Sequence, residues 1–574
     1  MKKILLYVTL ALVCLTYSAC NDDFLDINPQ DSVTDEAVFG SFNSTQLYVN
    51  DVYGSLKGPL YSWDAMGGTF SRSMFDNAFT DDLVTTDDRW NLFNFTPNNA
   101  PFERWTECYN SIRRANLGIE KISASSKLTE PQKQRFLGDL HFLRATFYFE
   151  LFRLYGRVPV ITAPLSRQED EIYNARNSEE EVLKFIIDEY QLAADLLPKR
   201  SALPPTELGR ATKGAAVGMK ASVYLHAAGV INAAYYKNAY ETADVLIRGE
   251  LAGEYQLFQT GATPELKFQN LFLEENEHNS EVIFDIQYAY PNKISSLQTV
   301  SAPPKHSTDD YGFGNRNMPT QEVVDAFEMK DGTSFSWSNP AHAANPYANR
   351  DARFYSSVLY NGVSWKGATL FTSANIWSTG QNQLVPNSPN GIGTATNSTI
   401  TGYYLKKHIN PTVISGYPNR GLGIGGGHNL IVLRYAEILL IYAEARNEVG
   451  GAADPFIYEA INRVRRRVNQ PDILAGLSQL QFRERVRNER RIELAFENKR
   501  YFDIVRWREG NRYLNQPSNG IRITYNMVGG NPVASYQRFQ IVKKIFDESK
   551  NYLLPVPQAA ISRNSRLQPN NPGW

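Results

Sequence analysis

Apolar side chains recur at three- and four-residue steps over long stretches of this chain, which predicts a mainly α protein. Between 131 and 155, Phe136, Leu140, Leu143, Phe147, Leu151 and Leu154 line one continuous face after a start at Pro131. Leu183, Ile186, Ile187, Tyr190 and Leu197 repeat the pattern in 178–197, where Ser178 and Glu181 have capping-box spacing. A helix over 207–229 is built on Ala211, Ala215, Ala216, Gly218, Ala221 and Ala227, small residues that let neighbouring helix axes approach closely. Helical spacing holds from about 41 to 250 and returns at 429–450, 454–469, 479–497 and 499–509. Long helices, short links and Ala or Gly at the crossings predict about four helix pairs stacked as a tetratricopeptide-like repeat scaffold, although no strict sequence period is present.

Between 255 and 428 the pattern breaks. Gly, Pro, Asn and Ser punctuate this stretch, and short β-like runs such as Glu281-Val-Ile-Phe-Asp-Ile-Gln287 replace helices. Three of the eight tryptophans, Trp337, Trp365 and Trp377, lie here. The expected organisation is one domain over 41–574: a helical scaffold (41–254 and 429–550), a long irregular, β-hairpin-containing insertion (255–428), and an extended C-terminal motif (551–574). Binding groups usually concentrate on loops held by a rigid scaffold, so the insertion is the expected ligand face.

The first residues add an address. Lys2 and Lys3, an apolar run from Ile4 to Leu15 and small residues before Cys20 form a secretory signal, so 1–19 reads as a signal peptide. The run is too short to span a bilayer as a helix. Cys20 is the expected lipid acceptor, with plain cleavage near Ala19 as the alternative, because Tyr17 stands where Leu is commoner. Residues 20–40 then form a lipidated tether, and lipid at Cys20 would hold the domain on a membrane. Asn21-Asp22-Asp23 adds a short acidic tag suggesting the cell surface.

Composition narrows the chemistry. Three cysteines occur in 574 residues, and with Cys14 in the signal and Cys20 lipidated, Cys108 stands alone, so no internal disulfide or cysteine metal site can form. Its place in a helical pattern points to a buried inert thiol. A net charge of -1 gives no reason to expect nucleic acid as partner. Gly421-Leu-Gly423-Ile-Gly425-Gly426 matches a dinucleotide fingerprint, but no strand leads into it, so a glycine loop is the reading. No phosphate loop, zinc-protease helix or serine-nucleophile motif is found, and the sequence names no cofactor while leaving a calcium ion in a loop open. Glu437 and Glu444 are the one carboxylate pair considered for glycoside hydrolysis. Seven helical steps put their backbones roughly 10.5 Å apart, at the edge of the ~6.5–9.5 Å of inverting enzymes. Polar contacts between helices are the favoured account of both. The basic run from Arg463 to Arg512 is threaded with Glu484, Glu489, Glu493, Glu497, Asp503 and Glu509, which predicts Arg–Glu pairs between packed helices.

Those C-terminal helices also carry distinctive residues: Arg434-Tyr-Ala-Glu437, Ile461-Asn-Arg-Val-Arg465, and Glu489-Arg-Arg-Ile-Glu493 through Glu497-Asn-Lys-Arg500-Tyr-Phe-Asp503 to Trp507. With Phe24-Leu25-Asp26, Gly209-Arg210-Ala211-Thr212, Asp351-Ala-Arg353-Phe354 and the ending Gln568-Pro-Asn-Asn-Pro-Gly-Trp574, the chain resembles the SusD/RagB family of nutrient-binding outer-membrane lipoproteins. Trp574 stands where that family more often has Tyr. The resemblance implies a non-catalytic binder that faces the cell exterior and sits as a hinged lid on a SusC-like TonB-dependent transporter, delivering a glycan. A binder of peptides or another nutrient in the same role, or a surface glycosidase, is the alternative.

A sugar ring offers apolar C–H faces and a hydroxyl rim, so its site needs aromatic plates beside amide, carboxylate and guanidinium groups. By position in the resembling family, Trp90, Tyr311 and Trp337 are the expected plates. Asp81, Asn91, Asn315 and Arg316 are the expected hydroxyl partners. Trp105 and Trp507 stand within helical patterns and are expected in the core.

Overall fold

The computed structural model describes residues 34–57, 79–85, 93, 95–100, 104–165, 173–289, 293, 297, 301–303, 305–306, 309–310, 317–387, 390–393, 398–412, 427–450 and 454–574. The chain is mainly helical, as its periodicity predicts. In the N-terminal half, α1 (Phe42–Gly54), α2 (Trp105–Ala124), α3 (Glu130–Tyr155), α4 (Glu179–Leu196), α5 (Lys213–Val230) and α6 (Tyr235–Ile247) follow one another. After the irregular segment come α7 (Tyr435–Gly450), α8 (Pro455–Arg467), α9 (Gln479–Glu493) and α10 (Arg500–Arg506). Each packs largely on its neighbours: α2 on α3, α3 on α4, α4 on α5, α5 on α6, and α6 on α7. This is the tetratricopeptide-like stack, interrupted by an insertion.

Local chemistry sets the helix ends. The box before α4 is closed: Ser178 Oγ accepts from the Glu181 amide at 3.2 Å, and Glu181 Oε2 accepts from the Ser178 amide at 2.8 Å. The Arg144 fork then ties α3 to α4, meeting both Glu189 oxygens at 2.7 Å. The helix predicted from 207 starts later, at Lys213, because Gly209 takes φ +91° and Thr212 caps the helix by accepting from the Ala215 amide at 3.0 Å. Gly218 and Gly229 mark close crossings. A Cβ at Gly218 would stand 2.6 Å from Leu433 Cδ2, and one at Gly229 would stand 2.1 Å from the Arg506 carbonyl oxygen.

Two stretches read as helical scaffold are β structure. Residues Leu430–Arg434 form a strand pairing antiparallel with Val282–Ile286, Leu430 opposite Ile286 and Arg434 opposite Val282. Every residue of both strands is buried, so the apolar run shows no alternation that would separate strand from helix. Residues Pro517–Val528 and Asn531–Lys543 form a long hairpin, turning through Gly529 and Gly530 at φ +58° and +83°. Two successive positive φ angles suit a tight hairpin turn, and Gly-Gly between two alternating runs was the signal for it.

The irregular segment is pinned to the helices by buried charge. Arg434 meets both Glu497 oxygens at 2.8 Å and Glu281 at 2.7 Å, and also bonds Glu493. Arg353 reaches Asp351, Glu489 at 2.5 Å and Glu493 at 2.9 Å; Arg465 joins Glu489 at 2.7 Å to Glu328 at 2.9 Å; Lys407 meets Glu497 at 2.6 Å. Burial works to raise the Glu493 carboxyl, but Arg467, Arg434 and Arg353 hold it well below the usual carboxylate range, so it is ionised. The Arg–Glu lacing expected between helices is present, and it extends across to the insertion.

Candidate functional site

A short ladder organises the expected ligand face. Leu83–Val84 pairs antiparallel with Met318–Pro319, Leu83 opposite Pro319 and Val84 opposite Met318. In an antiparallel pair the chain beyond Val84 and the chain before Met318 lie at the same end. The segments that enter the stretch with Trp90 and Asn91, and leave the stretch with Tyr311, Asn315 and Arg316, therefore share one end of this ladder. Those five residues lie outside the described residues, as do Cys20 and the glycine run 421–426.

Asp81 sits at the root of the first segment, 8% exposed. Arg500 meets its carboxylate with Nε at 2.9 Å and Nη2 at 3.0 Å, and Arg491 adds Nη2 at 2.8 Å. Against a desolvation that would raise it, Arg491 and Arg500 hold the Asp81 carboxyl down to about 2. Its oxygens thus face guanidiniums, not solvent. Thr320 completes the root: its hydroxyl donates to the Asp81 carbonyl at 2.5 Å and its amide to the Asp82 carbonyl at 3.0 Å. Arg491 and Arg500 were legible only as part of the lacing between helices, and nothing in their spacing signalled that they reach a loop some four hundred residues earlier.

Trp337 is half-buried beside the helix Gln321–Ala326, which follows the ladder. Its indole nitrogen donates to both Asp325 oxygens at 3.2 Å, and Phe335 packs edge-on to its ring at 5.3 Å. Asp325 also accepts from Gln321 at 2.6 Å and from Arg538 of the hairpin at 3.2 Å. The ring plane is thereby fixed by its polar edge.

The residues expected in the core are there. Trp105 and Trp507 are 7% and 8% exposed, and the Cys108 thiol is buried. Glu437 and Glu444 are buried interhelical contacts: Lys499 pairs with Glu437 at 2.8 Å, while Glu444 meets Arg506 at 2.5 and 2.7 Å and accepts from Trp507 Nε1 at 2.7 Å. Among the described residues no group of three or more His, Cys, Asp or Glu is placed to hold a metal ion, and no helix is long and apolar enough to cross a membrane.

Comparison with known proteins agrees with this architecture. The family model described as the SusD family matches residues 280–574, and one described as starch-binding, associating with outer membrane, matches 23–225. The chain belongs to the SusD family. It is 28% identical over 593 residues to SusD-like protein P2 of Formosa agariphila, covering 99% of each. Among solved structures it is similar to a SusD-like protein of Bacteroides fragilis (28% identity, 95% of this chain and 100% of that one, TM-score 0.76). It is also similar to a SusD-like carbohydrate binding protein of the same organism (25%, 93% and 100%, TM-score 0.77).

Proposed function

We propose that this protein is a non-catalytic surface lipoprotein, anchored through Cys20, that captures a glycan and delivers it to a SusC-like TonB-dependent transporter in the outer membrane. The observation that carries the glycan reading is the ladder of Val84 and Met318, whose one end gives onto both segments bearing the expected aromatic and amide groups. Membership of a family described as starch-binding and associated with the outer membrane supports both the ligand class and the location. A similar structure is named as carbohydrate binding. Trp90, Tyr311 and Trp337 are the proposed plates, with Asn91, Asn315 and Arg316 meeting hydroxyls; Asp81, expected among the hydroxyl partners, instead has its carboxylate taken up by Arg491 and Arg500. The ion pairing of Glu437 and Glu444 leaves that pair without a free acid or base, which supports binding without hydrolysis.

The mature protein is tested against a polysaccharide panel, measuring both retardation in affinity gels and release of reducing ends. Retention without new reducing ends is expected, and Trp90→Ala should lose most of it with an unchanged melting temperature. Turnover would overturn the non-catalytic reading. Retention of peptides with no glycan retained would move the ligand class to the family's other known kind of cargo.

A further inference from the structure

A second cleft, of about 680 Å³, lies between α2, the segment after α3 and the C-terminal motif, and none of the residues expected to bind the glycan lines it. That volume falls within the ~300–1,000 Å³ typical of small-ligand sites. Its walls combine aromatic rings with amides and one guanidinium: Tyr109, Tyr173, Asn98, Asn110, Asn564 and Arg563.

The walls are built, not incidental. Tyr109 donates its hydroxyl to the Pro159 carbonyl at 2.8 Å, and its ring is held between Trp105 at 5.1 Å and Tyr148 at 6.4 Å. The opposite rim is stitched from the far end of the sequence. Asn564 donates Nδ2 to the Asn174 carbonyl at 2.8 Å, and Arg566 donates to the Tyr173 carbonyl at 3.1 Å, leaving the Tyr173 side chain 36% exposed over the opening. The segment before it is in turn fixed to α3, with the Leu554 amide donating to the Leu154 carbonyl at 2.8 Å. Within the cleft the side chains of Asn98, Asn110 and Arg563 have no partner among the described residues.

The chemistry of the lining selects a ligand class. Among the described residues that line the cleft there is no carboxylate, lysine or histidine to offer a metal ion or a cationic peptide a counter-charge. Tyrosine rings beside the Asn98 and Asn110 amides and the Arg563 guanidinium suit a ligand that alternates apolar C–H faces with many hydroxyls. We infer that this cleft is a second carbohydrate-binding site, which takes a stretch of oligosaccharide separate from the one at the irregular face. The inference rests on the glycan reading above. Two sites on one rigid body would raise the retention of a long chain beyond either alone.

The test uses the mature protein and the oligosaccharide that the panel shows to be retained. Hydrogen exchange read by mass spectrometry should show protection in 105–113 and 557–567 on adding it, as well as in the segments about Trp90 and Trp337. Tyr173→Ala combined with Arg563→Ala, both exposed and so tolerated by the fold, should weaken retention of the long polysaccharide by about tenfold. Protection confined to the irregular face, with the double variant retained like the parent, would overturn the second site and leave the glycan reading intact. Failure of every oligosaccharide to protect either region would overturn both. Protection of 105–113 that survives the double variant unchanged would also sink the assignment, since the ligand would then not use these walls.

Discussion

Arg353 and Glu493 meet at 2.9 Å with neither side chain accessible to solvent, and they belong to different parts of the molecule: Arg353 to the irregular segment, Glu493 to the last turn of α9. Glu493 is shared with Arg434 and Arg467. Removing one member of a buried set leaves the others uncompensated, a penalty of about 3–5 kcal/mol. Arg353→Ala should therefore lower the urea unfolding free energy by about that amount, with Asp351 stripped of its guanidinium and Glu489 and Glu493 each losing one of theirs. A loss under about 1 kcal/mol would show that this junction is not what couples insertion to scaffold.

Glu277 gives the stability an alkaline dependence. Burial pushes its carboxyl up to about 8, helped by nearby Asp285 and Glu274, although the Asn429 amide donates to it at 2.6 Å. Asp285, buried beside it and facing His278 at 3.7 Å, is pushed up to about 7. In the unfolded chain Glu277 ionises at its ordinary value of 4.5. Its stabilising share is fully present below that value and is lost as pH rises through about 8, because the folded state holds the extra proton. Glu277→Gln keeps the acceptor and should flatten the fall in melting temperature between these limits. An identical slope in parent and variant would assign the dependence elsewhere.

Cys108 is 1% exposed within α2. A thiol-specific reagent should label it in 6 M guanidinium but far more slowly in the native protein. Rapid native labelling would mean that α2 opens, and with it one wall of the second cleft.

The anchor proposed at Cys20 would bear on transport, not on recognition. Cys20→Ala protein should bind its ligand in solution as the parent does, yet fail to support uptake by cells. Normal uptake would show that the transporter alone retains it.

Much of this was legible in the chain because the signals are local. The apolar face of 131–155 and the Ser178 capping box each depend on residues within one or two turns, and both appear as α3 and α4. The strand 430–434 was not, since a run buried on both sides has no period to read. The pairing of Asp81 with Arg500 was hidden for another reason: they are joined only by the folded chain, and the sequence pointed Asp81 to a ligand hydroxyl and Arg500 to a glutamate of a packed helix. The second cleft was equally hidden, because its rims come from residues near 174 and 564 that meet only after the C-terminal segment docks on α3.

The buried charges have a consequence for how such a molecule can change. Most of them serve more than one partner, as Glu281 does for Arg434 and Arg467, so a substitution at one strands two others and is tolerated only with simultaneous exchange. Descendants of this chain therefore inherit the seat of the irregular segment whole or not at all.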